Sequence, residues 1–212
     1  MIYEQIERSI SALIKPAVVG INGVDTSDKT IFARSLDHYF RRRGSHTALI
    51  HTAAFHNPRS VRYTDTTPEG YIRYAFDLPR LTGLILELKQ GAQKTTVDLL
   101  NLNADAYTNS KTFEAREDTI IIIEGVLLYR PPLNALFGYR IFLDVSFDEV
   151  QNRTRERDVP KYGEAFMQRY TNRYIPAQKL YLKEHRPKEN SQMVIDNNDF
   201  QQPRVVKPAA VK

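Results

Sequence analysis

Gly20-Ile-Asn-Gly-Val-Asp-Thr-Ser-Asp-Lys-Thr30 decides how this chain is read. From Gly23 onward it follows the phosphate-binding pattern G-x-x-x-x-G-K-[ST] and ends in Lys29 and Thr30, except that Asp28 stands where the second glycine belongs. Upstream, Pro16 to Ile21 is a short apolar run suited to a buried strand; downstream, Ile31, Phe32, Leu36, Tyr39 and Phe40 recur at helical spacing. That order of strand, loop and helix is what the motif needs, because loop N–H groups and the helix N-terminus then face phosphate oxygens. Gly23, Asp25, Thr26, Ser27, Asp28, Lys29 and Thr30 are therefore candidate nucleotide-binding residues, Lys29 reaching phosphate and the Thr30 hydroxyl helping to hold Mg²⁺. Asp28 brings the wrong charge. At an effective dielectric near 20, a carboxylate about 4 Å from a phosphate charge costs about 4 kcal/mol before Lys29 and Mg²⁺ compensate. Capping the helix instead, it would fill the anion site itself, a contact worth roughly 0.3–1 kcal/mol.

Outward from this loop, short apolar segments at 17–21, 46–52, 119–124, 139–144 and 192–196 read as strands. They alternate with helical patterns at 29–43, 77–90, 147–157 and 163–184, after an N-terminal helix over 2–14. The alternation predicts an α/β fold with a parallel five-stranded sheet flanked by helices. Ile120 to Ile123 show no polar alternation, as expected of a central strand covered on both faces. Pro176 is placed to kink the last long helix. The expected layout is one domain over 1–198 with a small lid at about 153–165, then a loose or disordered tail over 199–212.

A chain of 212 residues, 42% of them hydrophobic, can bury a full core. Its net charge of +5 suits an anionic ligand, nucleotide or nucleic acid alike. With no cysteine, disulfides, thiolate metal sites and cysteine nucleophiles are excluded. Met1 to Ile10 is charged and amphipathic, unlike a signal peptide, and the longest apolar stretch falls far short of the ~20 residues of a membrane span. A soluble cytoplasmic protein with no membrane partner is the expectation. None of the 5 histidines has H-x-x-x-H or H-E-x-x-H spacing, so no histidine metal site is expected. Tyr170, Tyr174 and Tyr181 share a helical face, a pattern of core packing.

Further motifs follow the loop in order. They are His51-Thr-Ala-Ala-Phe-His-Asn-Pro58, Pro68-Glu-Gly-Tyr71 ahead of Phe76-Asp77, Ile123-Glu-Gly-Val-Leu-Leu128, and Arg153-Thr-Arg-Glu-Arg-Asp158. Together, over roughly 17–198, they resemble the uridine kinase family of nucleoside kinases, to which phosphoribulokinase and pantothenate kinase are more distant relatives. The resemblance implies a P-loop kinase fold and transfer of the ATP γ-phosphate to a nucleoside 5′-hydroxyl with Mg²⁺. It implies catalytic roles for Lys29, Glu124 and Arg157, with Glu124 and Thr30 beside the metal and Arg157 in the lid. It brings Phe76 and Asp77 to the nucleoside, Asp77 accepting hydrogen bonds from ribose hydroxyls. His56 falls in a stretch that the family uses for substrate, although an ordinary loop histidine has the same look. Arg59 and Tyr63 open a basic and aromatic segment that could stack on a base or stand as an exposed insertion with no partner.

The sequence also departs from that family. Ala53 occupies the position, two before Phe55, where the resemblance calls for an aspartate to take the proton of the attacking hydroxyl, and Lys161 and Tyr162 stand where a second lid arginine is usual. A positioned base alone contributes about 10²–10⁴-fold, so activity is expected to be altered, weak or lost. Asp25 could substitute as base or as a water-mediated metal ligand, or serve only as a turn former. A silent nucleotide- or nucleoside-binding protein of the same fold is the alternative, and a nucleic-acid-binding module the third reading. The acceptor stays open, and a monomer and a symmetric assembly are both compatible with the sequence.

Overall fold

The computed structural model describes residues 2–207. Its first half runs α1 (Ile2–Ile10), β1 (Ala17–Gly23), α2 (Lys29–Arg42), β2 (Thr47–His51), a 3₁₀ turn (Thr52–Phe55), α3 (Arg59–Arg62), α4 (Pro68–Tyr74) and α5 (Leu78–Lys89). The hairpin β3 (Lys94–Asn101) and β4 (Ala106–Glu114) follows, then β5 (Ile120–Gly125), β6 (Tyr139–Asp144) and α6 (Phe147–Tyr162). The chain closes with α7 (Glu164–Arg169), a π turn (Tyr170–Tyr174), α8 (Ile175–His185), β7 (Met193–Asp196) and β8 (Arg204–Lys207).

Strands β2, β5, β1, β6 and β7 lie side by side in that order, all parallel, and β8 adds an antiparallel edge to β7. The five expected strands are thus joined by a sixth from the segment expected as a loose tail. Residues 204–207 pair along β7, and residues 208–212 of the expected tail lie outside the described residues.

The isoleucine run explains the two-layer packing. Ile121 and Ile123 enter a cluster with Ile50, Phe55, Leu81, Leu84 and Ile85 under α5, whereas Ile120 and Ile122 pack with Ile6, Phe32, Leu36 and Phe40 of α1 and α2. Successive side chains of a strand point to opposite faces, so a strand covered twice needs apolar residues at every position. Ile31, counted with the apolar helical set, is instead 62% exposed at the loop side of α2.

The helix expected over 163–184 is broken by the π turn directly before Pro176, which sits in the first turn of α8. Proline has no N–H to donate, and the wider turn accommodates the lost bond. The sequence reading assigned nothing to 91–118. There β3 and β4 form an antiparallel hairpin whose Val97, Leu99 and Phe113 pack on the α5 cluster while most of β4 is exposed. Among the described residues no helix is long and apolar enough to cross a membrane.

Register builds the site. Glu124 pairs with Ile21 of β1 and His51 of β2, so the C-terminal ends of three parallel strands emerge together. In open α/β sheets ligands bind at such ends.

Candidate active site

The loop after β1 leads directly into the N-terminus of α2, with Asp28 at the N-cap. A Cβ on Gly23 would come within 2.5 Å of Ser27 Oγ and 2.7 Å of the Leu143 carbonyl, so only glycine fits. Thr26 and Asp28 adopt φ of 55° and 60°, a left-handed conformation that costs non-glycine residues roughly 1–2 kcal/mol. Aspartate tolerates this conformation better than most non-glycine residues.

The Asp28 carboxylate does not fill the anion site. It makes no capping hydrogen bond to α2; Arg153 Nη1 of α6 donates to its Oδ2 at 3.1 Å. This corrects the self-capping expectation. Arg153 also donates to the carbonyls of Thr26, Asn197 and Asn198, which fixes its head beside the loop. Its charge offsets the repulsion expected of Asp28 toward a phosphate. Asn197, buried, donates to the Ser27 carbonyl at 3.0 Å and ties the end of β7 to the same loop.

Lys29 folds back under the loop, with Nζ donating to the Val24 carbonyl at 2.6 Å and Ser27 Oγ at 3.1 Å. It forms no ion pair among the described residues. Burial lowers its pKa, while the charges of Asp25 and Glu124 pull the other way. Thr30 donates to Glu124 Oε1 at 3.0 Å, and His51 Nδ1 lies 2.8 Å from the same oxygen. Burial pushes the Glu124 carboxyl up, but the hydrogen bond with His51, the Lys29 charge and the Thr30 hydroxyl outweigh it, leaving its pKa below the ordinary value. Two hard oxygens thus meet at the loop mouth.

These groups border a cavity of about 410 Å³ lined by Asp25, Thr26, Asp28, Lys29, Thr30, Glu124, Arg157, His56 and Phe76, all expected from the sequence. Ala53 is exposed on its wall. Gly23 and Ser27 are buried beneath the loop; Ser27 holds Lys29 rather than facing the cavity. Arg157 forks onto its neighbour Asp158 at 2.9 and 2.7 Å. The His56 ring stacks on Phe76 with centroids 4.6 Å apart and 16° between planes. Burial pushes its imidazole below the usual range, against the pull of the Ala75 carbonyl.

A second chamber of about 200 Å³ shares Asp25, His56, Tyr71 and Arg157 with the first and adds Tyr63 and Tyr174. Tyr170 and Tyr181 are buried core residues, as expected, but Tyr170 also borders this chamber, as Tyr174 does. The segment read as a possible exposed insertion folds into α3 and α4, and Arg173 ties it down: its guanidinium donates to the carbonyls of Arg62 and Asp65. Two residues fall elsewhere. Arg59 binds Asp105 through its backbone N–H and Leu102 through its guanidinium, away from both chambers. Asp77 caps α5, its two oxygens accepting from Arg80 N and Arg80 Nε at 3.0 Å each, and lines neither chamber.

Thr52, Val126 and Gln178 were missed. Thr52 packs on Gly125, and Val126 follows Glu124 into the cavity wall; a strand end between two quoted motifs was the signal available for both. Gln178, which reaches back 153 positions to Asp25, had none.

No protein-family model matches the chain. It is 26% identical to nicotinamide riboside kinase 1 of Homo sapiens over 149 residues, covering 68% of this chain and 66% of that protein, just under two thirds of it. It is 26% identical to uridine kinase of Ligilactobacillus salivarius (strain UCC118) over 154 residues, covering 70% of each. Among solved structures it resembles a chain described as a possible uridine kinase from Bacillus stearothermophilus, with TM-score 0.73 and 23% identity over 91% of this chain and 96% of that one. Phosphoribulokinase from Rhodobacter spheroides aligns with TM-score 0.58 and 15% identity, over 85% of this chain and 69% of that one. The fold is that of the P-loop kinases, and the chain resembles the uridine kinase family in sequence as well.

Proposed function

We propose that this chain is an ATP- and Mg²⁺-dependent phosphotransferase acting on the 5′-hydroxyl of a nucleoside. The observation that carries the reading is the buried Lys29 ammonium, which has only neutral acceptors and opens onto the same cavity as the Thr30–Glu124 pair. A cation so placed has room for an anionic partner. The similarity to uridine and nicotinamide riboside kinases supports a nucleoside as acceptor.

In this reading Lys29 leaves the Val24 carbonyl for a phosphate oxygen. Thr30 and Glu124 suit Mg²⁺, which needs only one or two protein oxygens when phosphates and water complete its shell. When bound there, the ion neutralises charge on the phosphates. Arg157 exchanges Asp158 for the transferring group, and His56 with Phe76 walls the acceptor. Ala53 favours a second reading, a binding protein without turnover, since a methyl group cannot take a proton. Calorimetry with MgATP, paired with product analysis over uridine, cytidine and nicotinamide riboside, tests both. Phosphorylated product is expected; ligand binding with no product would select the silent reading, and no MgATP binding would overturn both.

A further inference from the structure

We propose that Asp25 supplies the carboxylate that Ala53 lacks and takes the proton of the acceptor hydroxyl. The inference rests on the phosphotransfer reading and names a residue for its missing step. Asp25 lines both chambers, and Ala53 lies on the wall of the first. A turn-forming aspartate would accept hydrogen bonds from its own loop, and the Asp25 carboxylate accepts none from it among the described residues. Its partner is Gln178 of α8, only 1% exposed, whose Nε2 donates to Asp25 Oδ2 at 3.0 Å and whose Oε1 accepts the Asp25 N–H at 2.6 Å. Gln178 Nε2 is itself fixed by the Tyr174 carbonyl at 3.1 Å. One buried amide thus clasps both the backbone and one oxygen of Asp25. The other oxygen, Oδ1, has no partner among the described residues and is not sealed from the cavity.

The charge of Asp25 acts on Lys29 from the loop side and on His56, Tyr71 and Arg157 from the second chamber. It stands at the junction where an acceptor in one chamber would meet phosphate in the other. In the step, the acceptor O–H bond breaks and its proton passes to Asp25 Oδ1. The hydroxyl oxygen bonds to the γ-phosphorus, and the bond from that phosphorus to its bridging oxygen breaks, so ADP leaves with the electron pair. His56 is the rival base. Its Nδ1–H donates to the Ala75 carbonyl, which leaves the lone pair on Nε2, and its ring is stacked on Phe76; the His56→Asn variant separates the two candidates.

The test compares the full chain with Asp25→Asn, Ala53→Asp, the double variant and His56→Asn, reading kcat, acceptor KM and MgATP binding. Asparagine keeps the shape and one oxygen for the Gln178 clasp. Asp25→Asn is expected to lower kcat by about 10²–10⁴-fold with MgATP still bound, and Ala53→Asp in that background to restore turnover. The proposal is overturned if Asp25→Asn keeps wild-type kcat, if it loses MgATP binding in parallel with kcat, if the double variant recovers nothing, or if His56→Asn alone reproduces the loss. A silent wild type with an active Ala53→Asp variant also overturns it while leaving the kinase reading intact; silence of every variant removes that reading as well.

Discussion

Arg153 Nη1 donates to Asp28 Oδ2 at 3.1 Å, tying the one residue that breaks the loop motif to the helix expected to carry the lid. The two side chains are 13% and 29% exposed, so the pair is only partly screened by water. An acidic residue at this position is tolerated because a cation stands beside it.

The pair should therefore be energetically coupled. Asp28→Gly relieves left-handed strain and leaves Arg153 with Glu149 and its backbone carbonyls, whereas Arg153→Gln strands the carboxylate. A double-mutant cycle by urea unfolding is expected to show coupling of about 0.5–1.5 kcal/mol, with Arg153→Gln alone the more damaging change because it also loses three backbone carbonyls. Additive effects would show that the contact is incidental.

Lys29→Met should separate binding from folding. The ammonium is buried against two neutral acceptors, and an apolar chain of similar length carries no charge to desolvate. Thermal melts are expected to hold or rise. Calorimetry should show MgATP binding weakened by about 1.5–3 kcal/mol, the value of hydrogen bonds to a charged group. A melting temperature several degrees lower would mean that Lys29 holds the loop together.

Asp77→Ala should behave as a cap deletion. Both carboxylate oxygens are committed to Arg80, so the expected loss is about 1 kcal/mol of stability with nucleoside and MgATP affinities unchanged. A selective loss of nucleoside affinity would restore the ribose role that the family resemblance implies.

Glu124 should contribute to the acid limb of stability. Its folded-state pKa lies below the ordinary 4.5 despite burial, because His51, Lys29 and Thr30 favour the ionised form. The unfolded chain then binds more protons as pH drops, so this stabilisation is complete above 4.5 and is lost as pH falls through the lower folded value. Urea midpoints measured from neutral to acid pH should fall more steeply for the parent than for Glu124→Gln. Parallel curves would place the titration elsewhere.

The sequence by itself determined the five parallel strands and the position of the loop. Ile120 to Ile123 could only form a strand covered on both faces, and the Gly23 to Thr30 spacing needed a strand before it and a helix after it. These are local patterns, in which the period of the apolar residues carries the answer. The hairpin β3–β4 was not legible, because its strands are mostly exposed and only Val97, Leu99 and Phe113 report an inner face. Nor could the sequence tell where a charge points. Asp28 looked like an anion in the phosphate cradle and proved to be the partner of Arg153, 125 positions away. Asp77 looked like a ligand group and is a cap. Asp25 looked like a turn former and is clasped by Gln178. Each outcome depends on which element packs against a loop, and an ion pair or a buried amide contact between residues far apart in the chain exists only once the parallel strands bring their C-terminal ends together.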